Sequence, residues 1–199
     1  MKISTLAILL FLMTSSSLMA QNEVRFGGKA GANLSGFHTG KSANTDRVSF
    51  NIGGFAQFDL SESFSLQAEL LYNKKGGLFR VDNNNVSQSF SIDTQLDYID
   101  VPVLAEFEFL ENLSFEFGPQ IGFLISSKGK IVNSLNNNGE EVEISNTNTV
   151  DVAVNAGFSY EFNEELFLQA RYSYGLAEVF ENERYKNSVV SLSLGYFIK

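Results

Sequence analysis

The only histidine of the chain is the first residue to consider for chemistry. His38 lies in a polar stretch near the N-terminus, and Ser126 and Ser127 lie near the middle of the chain. A histidine that contacts a serine can activate it as a nucleophile for acyl transfer, a reaction that some barrels carry out at their outer rim. No motif places these residues together, so we expect His38 to be a solvated loop residue and the protein not to be an enzyme.

Two other patterns resemble ligand sites but lack the necessary spacing. The glycine-rich stretch from Gly27 to Gly31 would need to follow a strand and open a helix in order to bind phosphate. The acidic cluster of Glu140, Glu141 and Glu143 could attract calcium, but a calcium loop supplies six or more oxygens at defined positions. The chain has no cysteine, which excludes disulfides and thiolate metal sites. We therefore predict neither a cofactor nor a metal.

The charge and composition of the chain narrow its class further. A formal net charge of −9 argues against a nucleic-acid partner, because phosphates require a basic surface. An aromatic content of 13%, almost all of it Phe and Tyr, together with 16 glycines and only two prolines, favours strands over helices.

The N-terminus has the three parts of a secretory signal. Lys2 provides the positive charge, residues 3–13 form an apolar stretch, and Ala20 ends a small-residue cleavage site. The apolar stretch is shorter than the roughly 18 to 20 residues that a membrane-spanning helix needs. Gln21 stands where a lipoprotein would have its acylated cysteine. We therefore predict a signal peptide over residues 1–20 and one domain over residues 21–199.

The predicted domain shows the two-residue period of β-strands throughout. Apolar and polar residues alternate in eight segments, at 26–34, 48–60, 64–72, 99–109, 113–125, 150–162, 166–174 and 190–198. Three-residue turns at 61–63, 110–112 and 163–165 alternate with long polar loops at 36–47, 76–95, 127–149 and 176–187. This alternation predicts an antiparallel up-and-down barrel with all its short turns at one end, as in outer-membrane barrels, where the turns face the periplasm.

A two-residue period does not say which face is inside, since a lipocalin-like barrel would hide its apolar face and a membrane barrel would turn it to lipid. The segments are long enough to cross a bilayer, and the polar face is rich in Gly, Ser, Gln and Asn, as a packed lumen requires. Five aromatic residues near strand ends suit an interfacial girdle: Tyr72, Tyr172, Tyr174, Tyr196 and Phe197. We therefore predict an all-β, eight-stranded transmembrane barrel of the cell outer membrane, surrounded by lipid and lipopolysaccharide.

The short turns predict the pairing of neighbouring strands. They place Leu60 opposite Phe64, Phe109 opposite Leu113 and Phe162 opposite Leu166. Pro102 and Pro119 then lie at one level, where we predict one shared local disruption of the ladder or a bulge, because proline cannot donate to the ladder.

The same register brings two inward carboxylates, Glu106 and Glu116, level with each other. They could be an acid and base pair, but the more plausible interpretation is a structural ion network, because like charges at this distance need cations. The residues of this predicted lumen network are Arg25, Lys29, Glu69, Glu106, Glu116 and Arg171.

The chain resembles the PorT-like outer-membrane β-barrel family of Bacteroidota. Five stretches carry the resemblance, at residues 28–35, 66–76, 98–104, 118–123 and 170–176. The resemblance implies the barrel fold and the outer-membrane address, and it supplies no catalytic residues. It also suggests a partner in the envelope or in a secretion machine.

Three hypotheses for function follow. The first is a structural or interaction barrel that uses its long outer loops, and the second is an accessory part of a secretion or assembly machine. The third is a narrow pore, which is disfavoured because eight strands enclose only enough space for side chains. We expect a monomer.

Overall fold

The computed structural model describes residues 24–38, 47–81, 90–133, 141–144, 146–181 and 184–198. The predicted signal peptide lies outside these residues. Among the described residues, no helix is long and apolar enough to cross a membrane. The described strands are β1 (Val24–His38), β2 (Arg47–Ser61), β3 (Phe64–Val81), β4 (Phe90–Leu110), β5 (Leu113–Asn133), β6 (Glu141–Glu143), β7 (Val150–Glu161), β8 (Leu166–Gly175) and β9 (Lys186–Ile198).

Eight of these strands close into a ring. Each of them pairs antiparallel with the next one along the chain, with β7 following β5, and the ring closes where β1 pairs with β9. The short strand β6 lies outside the ring and pairs only with residues 128–130 of β5. The predicted eight-stranded antiparallel barrel is therefore confirmed, with β6 as an addition at one end. We call the end with the short turns the turn end, and the opposite end the loop end.

The two faces of the barrel wall differ in chemistry. Side chains that point outward are apolar and exposed, as Val48 at 75%, Phe107 at 53% and Leu192 at 54% illustrate. Side chains that point inward are mostly polar and buried, and Glu116 has no exposed surface at all. A soluble barrel would show the opposite arrangement, so the exterior is suited to lipid, as the alternation predicts.

One member of the predicted aromatic girdle is on the wrong face. Phe197 is 4% exposed and packs inside the barrel against Phe55 and Phe167. Tyr172 and Tyr196 do point outward, as expected. Phe197 directly follows Tyr196 along β9, and neighbouring residues of a strand point to opposite faces.

Three strands extend further toward the loop end than predicted. Residues 76–81 and 90–95 were expected to be loop, but they pair with each other as far as Val81 and Phe90. Likewise β5 continues through residues 127–133, paired with β4. The prediction failed here because a strand outside the bilayer can be polar on both faces, so the apolar alternation fades while the ladder continues.

The short turns contain irregularities that the prediction missed. Leu110, not Phe109, lies opposite Leu113, and Ser61, not Leu60, lies opposite Phe64. Register shifts of one residue at these turns restore the predicted pairing further along the strands. The third turn follows the prediction, since the backbone N–H of Phe162 donates to the carbonyl of Leu166 at 2.8 Å.

Of the two alternatives predicted at the prolines, the structure shows the local disruption of the ladder and no bulge. The pairing of β4 with β5 is interrupted between Ala105↔Phe117 and Pro102↔Gln120 but resumes in the same register. Each proline removes a donor, and this weakens the ladder locally without requiring an extra residue. The register shift in this pair of strands occurs instead at Asp97 and Tyr98.

Candidate functional site in the barrel lumen

Four inward residues form what we call the central ion cluster: Lys29, Glu69, Glu116 and Arg171. Lys29 Nζ lies 2.9 Å from Glu69 Oε1, and Arg171 lies between Glu69 and Glu116. Its Nη2 is 2.7 Å from Glu69 Oε1, and its Nε is 2.6 Å from Glu116 Oε1. Strands β1, β3, β5 and β8 bring these side chains together because each residue falls on the inward phase of its strand.

Amide side chains complete the hydrogen bonding of the central ion cluster. Gln169 accepts a hydrogen bond from Lys29 Nζ and donates one to Glu116 Oε2, both at 2.5 Å. Gln67 donates to Glu69 at 2.6 Å. A buried ion pair is tolerated only when its remaining donors and acceptors are satisfied, and these glutamines meet that condition.

Gly157 lies beside the central ion cluster, and no pattern in the sequence indicated its position there. It is paired with Glu116 on one side and with Arg171 on the other. A Cβ atom at this position would lie 2.5 Å from the backbone carbonyl oxygen of Ala170, 2.7 Å from Glu116 Oε1 and 3.0 Å from Arg171 Cα. The absence of a side chain at residue 157 therefore leaves room for the ion pair.

A second ion cluster lies nearer the loop end, and the sequence analysis missed it. Lys75 Nζ lies 2.9 Å from both Asp100 Oδ2 and Asp151 Oδ2. Asn73 donates to Asp100 at 2.7 Å, and Asn187 donates to Asp151 at 3.0 Å. We call Lys75, Asp100 and Asp151 the loop-end ion cluster. The inward phase that identified Glu106 and Glu116 could have identified these residues as well.

A series of hydrogen-bonded polar side chains, which we call the asparagine chain, connects four consecutive strands of the ring, β3, β2, β1 and β9, on the inner face of the barrel. Asn51 donates to Asn33 at 2.6 Å, and Asn33 donates to Asn73 at 2.7 Å. Ser193 donates to Asn51 at 3.1 Å. Because Asn73 also bonds to Asp100, this chain reaches the loop-end ion cluster.

A group of apolar side chains is buried inside the barrel near the loop end. It consists of Phe37, Leu96, Tyr98 and Val179, all at most 2% exposed. Val179 comes from the segment after β8, which is held by an isolated bridge between Thr147 and Phe180. The backbone N–H of Asn148 also donates to the Val179 carbonyl at 2.8 Å. We call these four residues the loop-end apolar cluster.

Arg25 was expected in the central network but lies apart from it. Its Nε is 3.2 Å from Asp59 Oδ2, and its Nη2 is 3.5 Å from Glu161 Oε1. Its guanidinium carbon lies 4.1 Å from the ring centroid of Phe197. Arg25 therefore pairs with carboxylates at the turn end, which the sequence analysis had not considered.

Glu106 is inside the barrel but does not join the central ion cluster. The register places it directly opposite Glu116. Its carboxyl group makes no hydrogen bond or ion pair with the residues that the structure describes. It lines a cavity of about 220 Å³ at the turn end. The structure thus joins four of the six predicted network residues and leaves Glu106 facing this cavity.

The structure does not bring His38 to either serine. Its Nε2 lies 3.2 Å from the carbonyl oxygen of Gly175, and its ring stacks on Tyr174 with the centroids 4.3 Å apart. Ser126 and Ser127 lie on β5, where they pair with β4, and β1 does not neighbour either strand.

The predicted acidic cluster is only partly within the described residues, since Glu140 is outside them. Glu141 is exposed and lies 3.6 Å from Lys128. In the part of the chain that the structure describes, no group of three or more His, Asp or Glu side chains is arranged to hold a metal ion.

Comparisons with known proteins agree with this architecture. A family model described as "Outer membrane protein beta-barrel domain" matches residues 19–181. The barrel is similar in structure to Ail, the attachment invasion locus protein of Yersinia pestis, with a TM-score of 0.52, 16% identity, and coverage of 88% of this chain and 99% of Ail. It is also similar to Neisserial surface protein A, with a TM-score of 0.51, 14% identity, and coverage of 86% and 96%. A comparison with curated proteins gives no match.

Proposed function

Because the chain belongs to the outer membrane protein beta-barrel domain family, we propose that it is an interaction barrel whose lumen is closed by its own side chains. Family and fold place the protein in the cell outer membrane. In this proposal the barrel is a rigid anchor, and the segments beyond the bilayer make the functional contacts. Lipid and lipopolysaccharide surround it, and it acts as a monomer.

The stacking of side chains across the lumen is the observation that carries the proposal. From the loop end to the turn end, the lumen holds the loop-end apolar cluster, the loop-end ion cluster, the asparagine chain and the central ion cluster. Each of these four groups joins strands that are not neighbours in the ring. For example, Glu69 and Arg171 join β3 to β8. Solute passage would require several of these contacts to break at once.

The long strands support a role for the loop end in contacts. Strands β4 and β5 each have 21 residues, about twice the 9 to 11 that a tilted strand needs to cross a bilayer. The added length carries the ends of β4 and β5 beyond the membrane surface. Binding residues are often found on loops that a rigid scaffold holds in position.

The chemistry of a ligand at the loop end differs from that of the Ail ligand. The Ail structure contains the heparin analogue sucrose octasulfate, which is a polyanion. This chain has a formal net charge of −9, and a polyanion would be repelled by it. We therefore propose a partner that is neutral or basic.

Conductance measurements on the full chain in planar lipid bilayers test the closed lumen. The wild-type protein should give no stepwise current. A double variant, Glu69→Ser with Arg171→Ser, removes the contact that joins β3 to β8 and should remain closed, because the other groups still fill the lumen. Adding Lys75→Ser removes the loop-end ion cluster as well, and this triple variant should leak. The matched control Arg171→Lys keeps the positive charge and should stay closed. Stepwise current from the wild-type protein would favour the pore instead.

A role without catalysis is part of the proposal. His38 contacts a backbone carbonyl and an aromatic ring, and among the described residues it contacts no serine or carboxylate that would make a catalytic pair with it. Incubation of the purified barrel with phospholipid or lipopolysaccharide should leave the acyl chains unchanged.

The resemblance to PorT-like barrels supports a second candidate, an accessory role in a secretion or assembly machine. Affinity capture from native envelopes after cross-linking separates the two candidates. Recovery of a defined inner-envelope complex would favour the accessory role, and recovery of surface ligands alone would favour the interaction barrel.

A further inference from the structure

The cavity at the turn end has an unusual lining. Its carboxylates come from three hairpin regions: Asp59, Glu62, Glu106, Glu108 and Glu161. Arg25 is the one cationic side chain among its described lining residues, and serine hydroxyls and the amide of Gln57 supply the other polar groups. The cavity therefore has a strong excess of negative charge at the mouth of the barrel.

Within this lining, Glu106 differs from the other carboxylates. It is only 6% exposed, and no described residue donates a hydrogen bond to it. An isolated buried carboxylate is costly, because burial removes its hydration and nothing replaces it. A carboxyl group that faces a cavity and has no donor among the described residues has acceptors available to a donor from outside the described chain.

The nearby cations are already used. Arg171 contacts Glu69 and Glu116, and Lys29 contacts Glu69 and Gln169. Arg25 lies between Asp59 and Glu161. The central ion cluster balances two cations against two carboxylates, so Glu106 adds a negative charge that these cations do not neutralise.

We propose that the turn-end cavity binds a basic side chain, lysine or arginine, of a periplasmic protein segment, with the cationic head group paired to Glu106. The inference adds a second interaction site to the proposed function and relies on its orientation, with the turn end in the periplasm. The cavity volume of about 220 Å³ equals that of about seven water molecules, which is enough for one long side chain. The described carboxylates do not converge as metal ligands would, so an organic cation fits the lining better.

Fluorescence anisotropy with short peptides tests this site. The full barrel in lipid nanodiscs is titrated against a six-residue Gly/Ser peptide that contains one Arg and carries a neutral dye. Matched peptides contain one Lys or one Gln in place of the Arg. A nanodisc leaves both ends of the barrel accessible, so the binding result does not depend on the orientation in cells.

The Arg and Lys peptides should bind, and the Gln peptide should not. Glu106→Gln should weaken binding by at least about tenfold, because the head group loses its buried partner. The matched control is Glu111→Gln, at an exposed turn position outside the cavity lining, and it should change affinity by less than about twofold. A buried pair is screened little by salt, so the effect of Glu106→Gln should persist in about 0.5 M salt.

Three results would overturn the proposal. Equal affinity of the wild-type protein and Glu106→Gln would show that Glu106 is not the partner and holds a proton instead. Equal loss of binding in Glu111→Gln and in high salt would assign the attraction to the acidic rim as a whole. Displacement of the Arg peptide by equimolar calcium would assign the cavity to a metal. None of these results would affect the conductance test of the closed lumen.

Discussion

Individual side chains of the lumen have more than one partner each, and Arg171 is the clearest case. Its guanidinium binds Glu69 through two nitrogens, at 2.9 and 2.7 Å, and also binds Glu116. A planar group with five donors can do this, whereas an ammonium group cannot reproduce the geometry. The absence of a side chain at Gly157 is also important, because a Cβ atom there would enter the space beside Glu116 and Arg171.

At this scale we predict that Gly157→Ala destabilises the barrel by about 1–3 kcal/mol, since the added methyl group clashes with the backbone carbonyl of Ala170 and with the carboxylate of Glu116. The free energy of unfolding in urea, measured in lipid vesicles, is the appropriate readout. Gly28→Ala is the matched control. A Cβ there meets nothing nearer than 3.7 Å, so its stability should change little. Equal stability of the two variants would mean that the ion pair moves aside without cost.

The sequence predicted to which face of the barrel wall each strand residue points, but it did not predict which partner each side chain binds. The two-residue period showed correctly that Glu69, Glu116 and Arg171 all point inward. It could not show that the guanidinium of Arg25 pairs with Asp59 and Glu161 and not with the carboxylates of the central ion cluster. That choice depends on the lengths and rotamers of side chains across the lumen, which no local pattern records.

At the scale of whole elements, the two ends of the barrel are built differently. The turn end has tight turns, one of which contains Asn112 at a φ of 63°, a conformation that asparagine tolerates better than most residues. At the loop end, β3, β4 and β5 continue together, and β6 is added to their edge. The sequence predicted the strands in the bilayer well, because contact with lipid requires alternate residues to be apolar. It predicted the extensions of these strands poorly, because a strand in water does not need this alternation.

Single cysteines introduced into this cysteine-free chain test which end faces outward. Asn84→Cys and Asn137→Cys lie in the long polar segments, outside the described residues, and Glu111→Cys lies in a short turn. A membrane-impermeant maleimide added to intact cells should label the first two and not the third. Lysed cells are the control, because all three should then react. Labelling of Glu111→Cys alone on intact cells would invert the orientation.

On the scale of the whole molecule, the apolar residues mostly face the surroundings instead of each other. The large exposed side chains lie on the outward face of every strand in the ring, while the interior is held by hydrogen bonds and ion pairs. In a soluble fold, apolar side chains are buried in a protein core. Here the lipid bilayer covers the apolar side chains on the outward face instead.

Arginine substitutions on the outward face should therefore cost free energy according to depth. Leu192 lies midway along β9, so Leu192→Arg should destabilise the barrel by about 2–4 kcal/mol in lipid vesicles. Ile198→Arg, at the turn-end limit of the same strand, should cost about 0–1 kcal/mol. Both residues are exposed on the same face, so depth is the main difference between them. Equal costs at the two positions would contradict a lipid-facing surface.

The loop-end apolar cluster has a consequence for how the barrel opens. Val179 is held there by a segment whose backbone hydrogen bonds go to separate positions, at residues 146, 148, 152 and 185, whereas the strands that enclose it have continuous ladders. The free energy of opening is lowest where contacts are few, so this segment should detach while the ring stays intact. Each such event would briefly hydrate Tyr98 and Lys75, which lie together with the ammonium group 4.5 Å from the ring centroid. Water from outside the cell would therefore enter the lumen through fluctuations of one short segment, without deformation of the wall.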